Sequence, residues 1–242
     1  MFTDTSTLHD TLPALFRIGR APEPLAFPPY EFCGRNRFDD PLLTYGDAAL
    51  CFRVLYFGED RLSCFLEVLQ NHRPDLAYLA HLNDLPDGDN TPDLPSDRDI
   101  IASAHFVARD VLSRKRIQQM QPDRQMQWVD LRSLTLRESL RAEFARELRD
   151  SGATDLDLSA MTSGNRALTQ AIARWLYEKG HGAVTYTSHF GCDYHCVALF
   201  EGASFIATSD PTAIVADDPD LGRALRLFGL LLDQAYITSA SR

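Results

Sequence analysis

The sequence predicts an α+β protein, and three observations predict it. Short apolar, β-branched or aromatic runs stand at 51–57, 183–186 and 195–200, each the length of a buried strand. Segments of helical period stand at 61–71, 165–179 and 219–233. The two kinds are interleaved without the regular strand–helix alternation that builds a doubly wound parallel sheet. No Walker A loop, no G-x-S-x-G, no H-E-x-x-H and no G-x-G-x-x-G after a strand occurs, which removes most P-loop, α/β-hydrolase and Rossmann readings.

In chain order, residues 1–12 are a polar lead-in and 15–18 a short strand. The Pro-rich 21–30 (APEPLAFPPY) reads as an extended loop, and 31–41 (EFCGRNRFDDP) as a charged, turn-like stretch. After the strand at 51–57, Asp60 is placed to cap a helix over 61–71 whose Leu62, Phe65, Leu66 and Leu69 share one face. Residues 83–99, rich in Asp, Pro and Gly, read as an exposed insertion. A strand is expected near 101–107, then a basic segment, then a strand at 128–131. Thr135 and Glu138 have the spacing of a capping box for a helix ending near Gly152. The helix over 165–179 carries Leu168, Ile172, Trp175 and Leu176 and stops at Gly180; strands at 183–186 and 195–200 follow, joined through SHFGCDY. The last helix, 219–233, places Leu221, Leu225, Phe228 and Leu232 on one side, where they serve either as core or as an oligomer interface.

The 242 residues fit a single large domain over 1–242, with the insertion at about 83–99 and a variable helical region at about 110–160. Lys and Arg number 24 against 34 Asp and Glu, a net charge of −10, which disfavours direct binding to nucleic acid or to an anionic membrane. Any anionic ligand must therefore be held by a local cluster of cations. No apolar run approaches the roughly 18–20 residues of a membrane span, and no basic segment precedes the short apolar patch at the N-terminus, so no secretory signal is read there. Five scattered cysteines suit reduced thiols and a cytoplasmic location better than a disulfide framework.

Such a cation cluster exists in the first third of the chain, where Arg17, Arg20, Arg35 and Arg37 fall in loop-like sequence. They are suited either to a pyrophosphate, by bidentate hydrogen bonds, or to pairing with Asp39, Asp40 and other carboxylates. Tyr56, inside an apolar strand, is either a core tyrosine or a platform for a planar ring. Glu67 lies at the border of the apolar face of the 61–71 helix, either solvated or turned to a ligand. The segment HFGCDYHC (189–196) holds two Cys and two His but lacks a second ligand pair, so a hairpin explains it more simply than zinc, and no metal is expected.

Taken together, Arg17 in LFRIGR, GRNRFDDP, VLYFGED, CFLEVL and LTQAIARWLYEKGHGAVTYTS followed by CVALFE resemble the RES domain, named for an arginine, a glutamate and a serine. The resemblance covers about 15–75 and 165–202 well and 76–160 loosely. It implies an ADP-ribosyltransferase-like mixed sheet flanked by helices and an enzyme that consumes NAD, cleaving the nicotinamide–ribose bond as a glycohydrolase or phosphorylase. Many members are toxins, so a cognate antitoxin of helix-turn-helix type is implied as partner. The alternatives are an ADP-ribosyltransferase acting on a protein and an inert binding module of the same fold. Carried over by position, Arg17, Tyr56 and Glu67 are the catalytic candidates, and Arg17, Arg37, Tyr56 and Ser188 the NAD-binding ones. In that picture the two arginines hold the pyrophosphate, Tyr56 stacks on nicotinamide and Ser188 holds a ribose or amide group. Thr169 and the neighbouring Arg166 occupy another polar position that the family uses. The residue after the first arginine is Ile18, where the family often has Tyr.

Overall fold

A computed structural model describes residues 14–44, 50–73, 76–77, 80 and 106–233. Its centre is an eight-stranded sheet. Strands β1 (Leu15–Arg20), β2 (Val54–Gly58), β4 (Lys115–Pro122), β5 (Trp128–Asp130), β6 (Ala183–Thr187), β7 (His195–Phe200) and β8 (Phe205–Ala207) lie in the order β5-β6-β7-β2-β1-β4-β8, and β9 (Thr212–Ala213) also pairs with β4. All these pairs are antiparallel except β5–β6, so the sheet is mixed. A separate parallel ribbon joins β3 (Phe106–Val107) to β10 (Leu231–Leu232). The α+β class read from the sequence is the class of the folded chain.

Side chains alternate across the strands. Leu15, Leu55, Phe57, Val197 and Leu199 build a core on one face with Met120 and Trp128. Their neighbours along the same strands face the other way and divide into two groups. Val54, Ala198 and Phe200 pack with Leu168, Ile172, Ala173 and Leu176 of α6 (Ala167–Glu178). Ile18 and its cross-strand partner Ile117 pack with α1 (Arg61–Leu69) and α7 (Pro219–Phe228). The helix-covered face thus carries two separate cores side by side.

Helix α1 begins where expected: the Asp60 carboxylate accepts from the Ser63 amide at 2.7 Å, satisfying one of the four free donors of a helix start. Four expectations are corrected. The proposed capping box at Thr135 and Glu138 does not form; Ser133 is the cap of α3 (Leu134–Leu140), and the chain leaves helical geometry at Phe144 (φ −101°, ψ 20°) before α4 (Ala145–Asp150). The last helix stops at Phe228, not 233, because Gly229 turns left-handed at φ +65°, and the next residues pair as β10. The expected helix over 61–71 ends at Leu69 and tightens into a 3-10 turn over Gln70–His72. The segment at about 110–160, read as helical apart from a strand at 128–131, holds α2 (Arg109–Ser113) and α5 (Leu158–Thr162) as well as α3 and α4, and the expected strand is β5, yet it also supplies β4 over residues read only as basic. The lead-in at 1–12, the insertion at 83–99 and most of the strand expected at 101–107 lie outside the described residues.

Candidate active site

Strands β1 and β2 meet at a single pair, Phe16–Gly58, and no further rungs form toward Arg20 and Val54. Arg17 fills this split. Its Nε donates to the Pro24 carbonyl at 2.7 Å and one terminal nitrogen to the Tyr56 carbonyl at 2.9 Å, an acceptor that a continuous ladder would have given to a β1 amide. Its guanidinium carbon lies 6.0 Å from the centre of the Phe57 ring. Burial pulls the Arg17 guanidinium down to about 10, so it remains a cation at neutral pH.

A cavity of about 210 Å³ opens at this split, on the seam between the two helix-covered cores. Arg17, Arg37, Tyr56 and Glu67 all line it, with Ile18, Cys64, Arg166, Tyr186 and His189. Residues as far apart as Arg17 and His189 therefore share one wall; the four candidates span Arg17 to Glu67, and the distant part of the lining comes from Arg166 at the start of α6, Tyr186 of β6 and His189 after it.

Glu67 sits in the last turn of α1 and is fixed on both oxygens. Oε1 accepts from the Ser188 hydroxyl at 2.7 Å and from the Cys196 thiol at 4.0 Å, and Oε2 accepts from the Gln70 side-chain amide at 3.1 Å. Ser188 is 3% exposed and does not line the cavity. It stands behind the Glu67 carboxylate, to which its hydroxyl donates. Thr169 is fully buried and donates to the Arg166 carbonyl at 3.0 Å, back into its own helix and away from the cavity.

Tyr56 presents its ring to the cavity while its hydroxyl is occupied. It donates to Asp39 Oδ1 at 2.8 Å and accepts from the Phe38 amide at 3.0 Å. Burial raises its phenol well above the ordinary value, with the Asp39 charge adding to the shift. Arg37 is engaged in a similar way. Its terminal nitrogens donate to the carbonyls of Met161, Thr162 (3.2 Å) and Ser163 (3.1 Å), where α5 ends. Three of its five donors are thus committed to the main chain, and burial lowers its affinity for the proton.

Arg20 and Arg35 do not line this cavity. Arg20 stacks on Phe32 at 4.7 Å, and the carboxylates that the sequence offered as partners are used elsewhere: Asp40 binds Arg174 at 2.9 Å. In HFGCDYHC, His195 bridges Glu59 at 3.2 Å and the Cys192 carbonyl at 3.0 Å. Among the described residues, no group of three or more His, Cys, Asp and Glu is placed to hold a metal ion. The sequence reading did not place Gln70 or His189 at this site, and it noted Arg166 only beside Thr169, at a polar position that the family uses. Gln70 was findable, since three residues after Glu67 on a helix is one turn away; the other two join only through the tertiary fold.

A mixed sheet opened by an arginine, with a small cavity lined by guanidinium groups and a carboxylate held on both oxygens, defines an α+β protein with a cation-lined pocket. The particular family follows from the sequence profile described as RES domain, which matches residues 14–223, and the chain belongs to that family. Comparison with curated proteins gave no match. Among solved structures, the chain is similar to one described as the M. tuberculosis MbcT–MbcA toxin–antitoxin complex, at 11% identity and a TM-score of 0.49, covering 90% of this chain and 92% of that one. Among the described residues, no helix is long and apolar enough to cross a membrane.

Proposed function

We propose that this protein cleaves the nicotinamide–ribose bond of NAD, as a glycohydrolase or phosphorylase, and acts as the toxin of a toxin–antitoxin pair. Membership of the RES domain family supports the reading. The observation that carries it is the convergence of Arg17, Arg37, Tyr56 and Glu67 on one cavity, with the carboxylate held on both oxygens.

In the proposed step the C1′–N bond breaks and its electron pair leaves with the nicotinamide nitrogen, neutralising that ring. The ribose carbon becomes cationic until an acceptor oxygen bonds to it and releases its proton. Such a reaction needs positioned charge more than a strong nucleophile. Glu67 supplies the negative charge beside the developing cation and accepts from a ribose hydroxyl; Ser188 and Gln70 hold it in place. Tyr56 offers its ring to nicotinamide, and the arginines neutralise the pyrophosphate.

The test is nicotinamide release from NAD by the purified protein, with and without inorganic phosphate. Dependence on phosphate identifies the acceptor as phosphate, and independence identifies water. Glu67→Gln keeps the shape and removes the charge, so turnover falls by about 100-fold or more while NAD affinity changes little. Wild-type protein that releases no nicotinamide, or a variant that turns over normally, refutes the reading.

A further inference from the structure

The arginines that the family pattern brings to the cavity are largely committed to the fold: Arg37 to three carbonyls and Arg17 to two. Arg166 is different. It lines the same cavity, and its side chain is exposed and makes no hydrogen bond or ion pair among the described residues; only its carbonyl is used, by Thr169 and Gln170. It stands at the N-cap of α6 with backbone φ −89°, ψ −13° and caps nothing with its side chain.

Its position is electrostatically unfavourable in the empty protein. A helix start carries the positive end of the macrodipole, where an anion is stabilising and a cation is not. Arg37 lies close enough that, after burial, Arg166 weakens its hold on the proton, and Arg166 also depresses the neighbouring His189 imidazole, after burial, Arg37 and Arg73 have done so. Two guanidinium groups and a helix start thus converge on one wall of a protein whose net charge is −10. An unpaired fork with all five donors available is the geometry that binds phosphate oxygens in pairs.

We infer that Arg166 is the principal phosphate-binding side chain of this cavity, gripping a diphosphate-bearing ligand while Arg17 and Arg37 shape the wall behind it. The inference deepens the proposed function and rests on it for the identity of the ligand, but not for the chemistry of the contact. It assigns the binding strength to a side chain that has no structural task, in place of the two that have one.

The experiment is calorimetric titration of inorganic pyrophosphate and of ADP-ribose into wild type, Arg166→Gln and Arg35→Gln. Arg35 is exposed and outside the cavity, so its variant controls for the loss of one positive charge. Removing Arg166 breaks no internal hydrogen bond, and unchanged circular dichroism verifies the fold. Arg166→Gln is expected to weaken both ligands by about tenfold or more, with Arg35→Gln close to wild type. Equal affinity in wild type and Arg166→Gln, equal weakening by the two variants, or no binding of either probe to wild type overturns the inference. Nicotinamide release measured on the same preparations separates the two claims: pyrophosphate held through Arg166 by a protein that leaves NAD intact sustains this contact and refutes the proposed reaction.

Discussion

Tyr56 shows how much a single side chain is asked to do here. Its hydroxyl answers both the Asp39 carboxylate, 2% exposed, and the Phe38 amide. Tyr56→Phe leaves the ring on the cavity wall but strands both partners, and an unsatisfied buried group costs about 1–3 kcal/mol. Urea denaturation is expected to show that loss, with nicotinamide release falling less than in Glu67→Gln; a variant as stable as wild type contradicts the assignment. The strand position of Tyr56 was legible from its apolar surroundings. The hydroxyl's partners were not, because Asp39 and Phe38 lie in a loop whose path no local periodicity reveals. The same holds for Arg37, where spacing alone offered a ligand or a carboxylate and the fold chose main-chain carbonyls.

At the scale of elements, the strands that the sequence revealed most plainly are those with long buried apolar runs. In β7 all residues from Cys196 to Phe200 are buried, so an unbroken apolar run announces the strand. Strand β4 is the longest, yet its KRIQQMQP reads as polar because Lys, Arg and Gln fill most of its positions, Gln118 buried among them, and of its apolar residues only Ile117 and Met120 join the cores. The two- and three-residue strands β8, β9 and β10 exist by pairing, not by propensity, and left no local signal. Helix α3 carries an anomaly of its own. Arg137 is 8% exposed, and its Nε and one terminal nitrogen are buried without a hydrogen-bond partner among the described residues. Replacing an unpaired buried ion by an apolar chain of similar length is often stabilising. Arg137→Met is therefore expected to raise the unfolding free energy by about 1–2 kcal/mol in urea; a loss of stability would mean that this guanidinium has a counter-ion in solution.

Across the whole molecule, the groups that burial perturbs most collect around one cavity. Burial pushes the Cys64 thiol up to about 12, and raises the Cys196 thiol and the Tyr56 and Tyr186 phenols well above their ordinary values. Each stays protonated in the folded chain at a pH where the unfolded chain has begun to lose its proton. Their contribution to stability is complete below the ordinary thiol value of about 8.5 and is lost as pH rises through the ordinary thiol and phenol range. Arg17, lowered to about 10, acts with the opposite sign only above that pH. Urea midpoints measured between pH 7 and 10 are expected to hold level and then fall from about pH 8.5; a flat profile to pH 10 would place these side chains in water. The two cores of the helix-covered face were each visible as amphipathic stripes in the sequence, but the seam between them, where the cavity opens, belongs to neither stripe and appears only when both are assembled.

The wedge of Arg17 between β1 and β2 has a consequence for how variants of this protein must be judged. One guanidinium both closes the gap in the sheet and forms part of the cavity wall, so foldedness and competence are fused in a single residue. An inactive Arg17 variant would be a broken scaffold as much as a disarmed one. Inactive copies that keep their shape are to be sought at Glu67 instead.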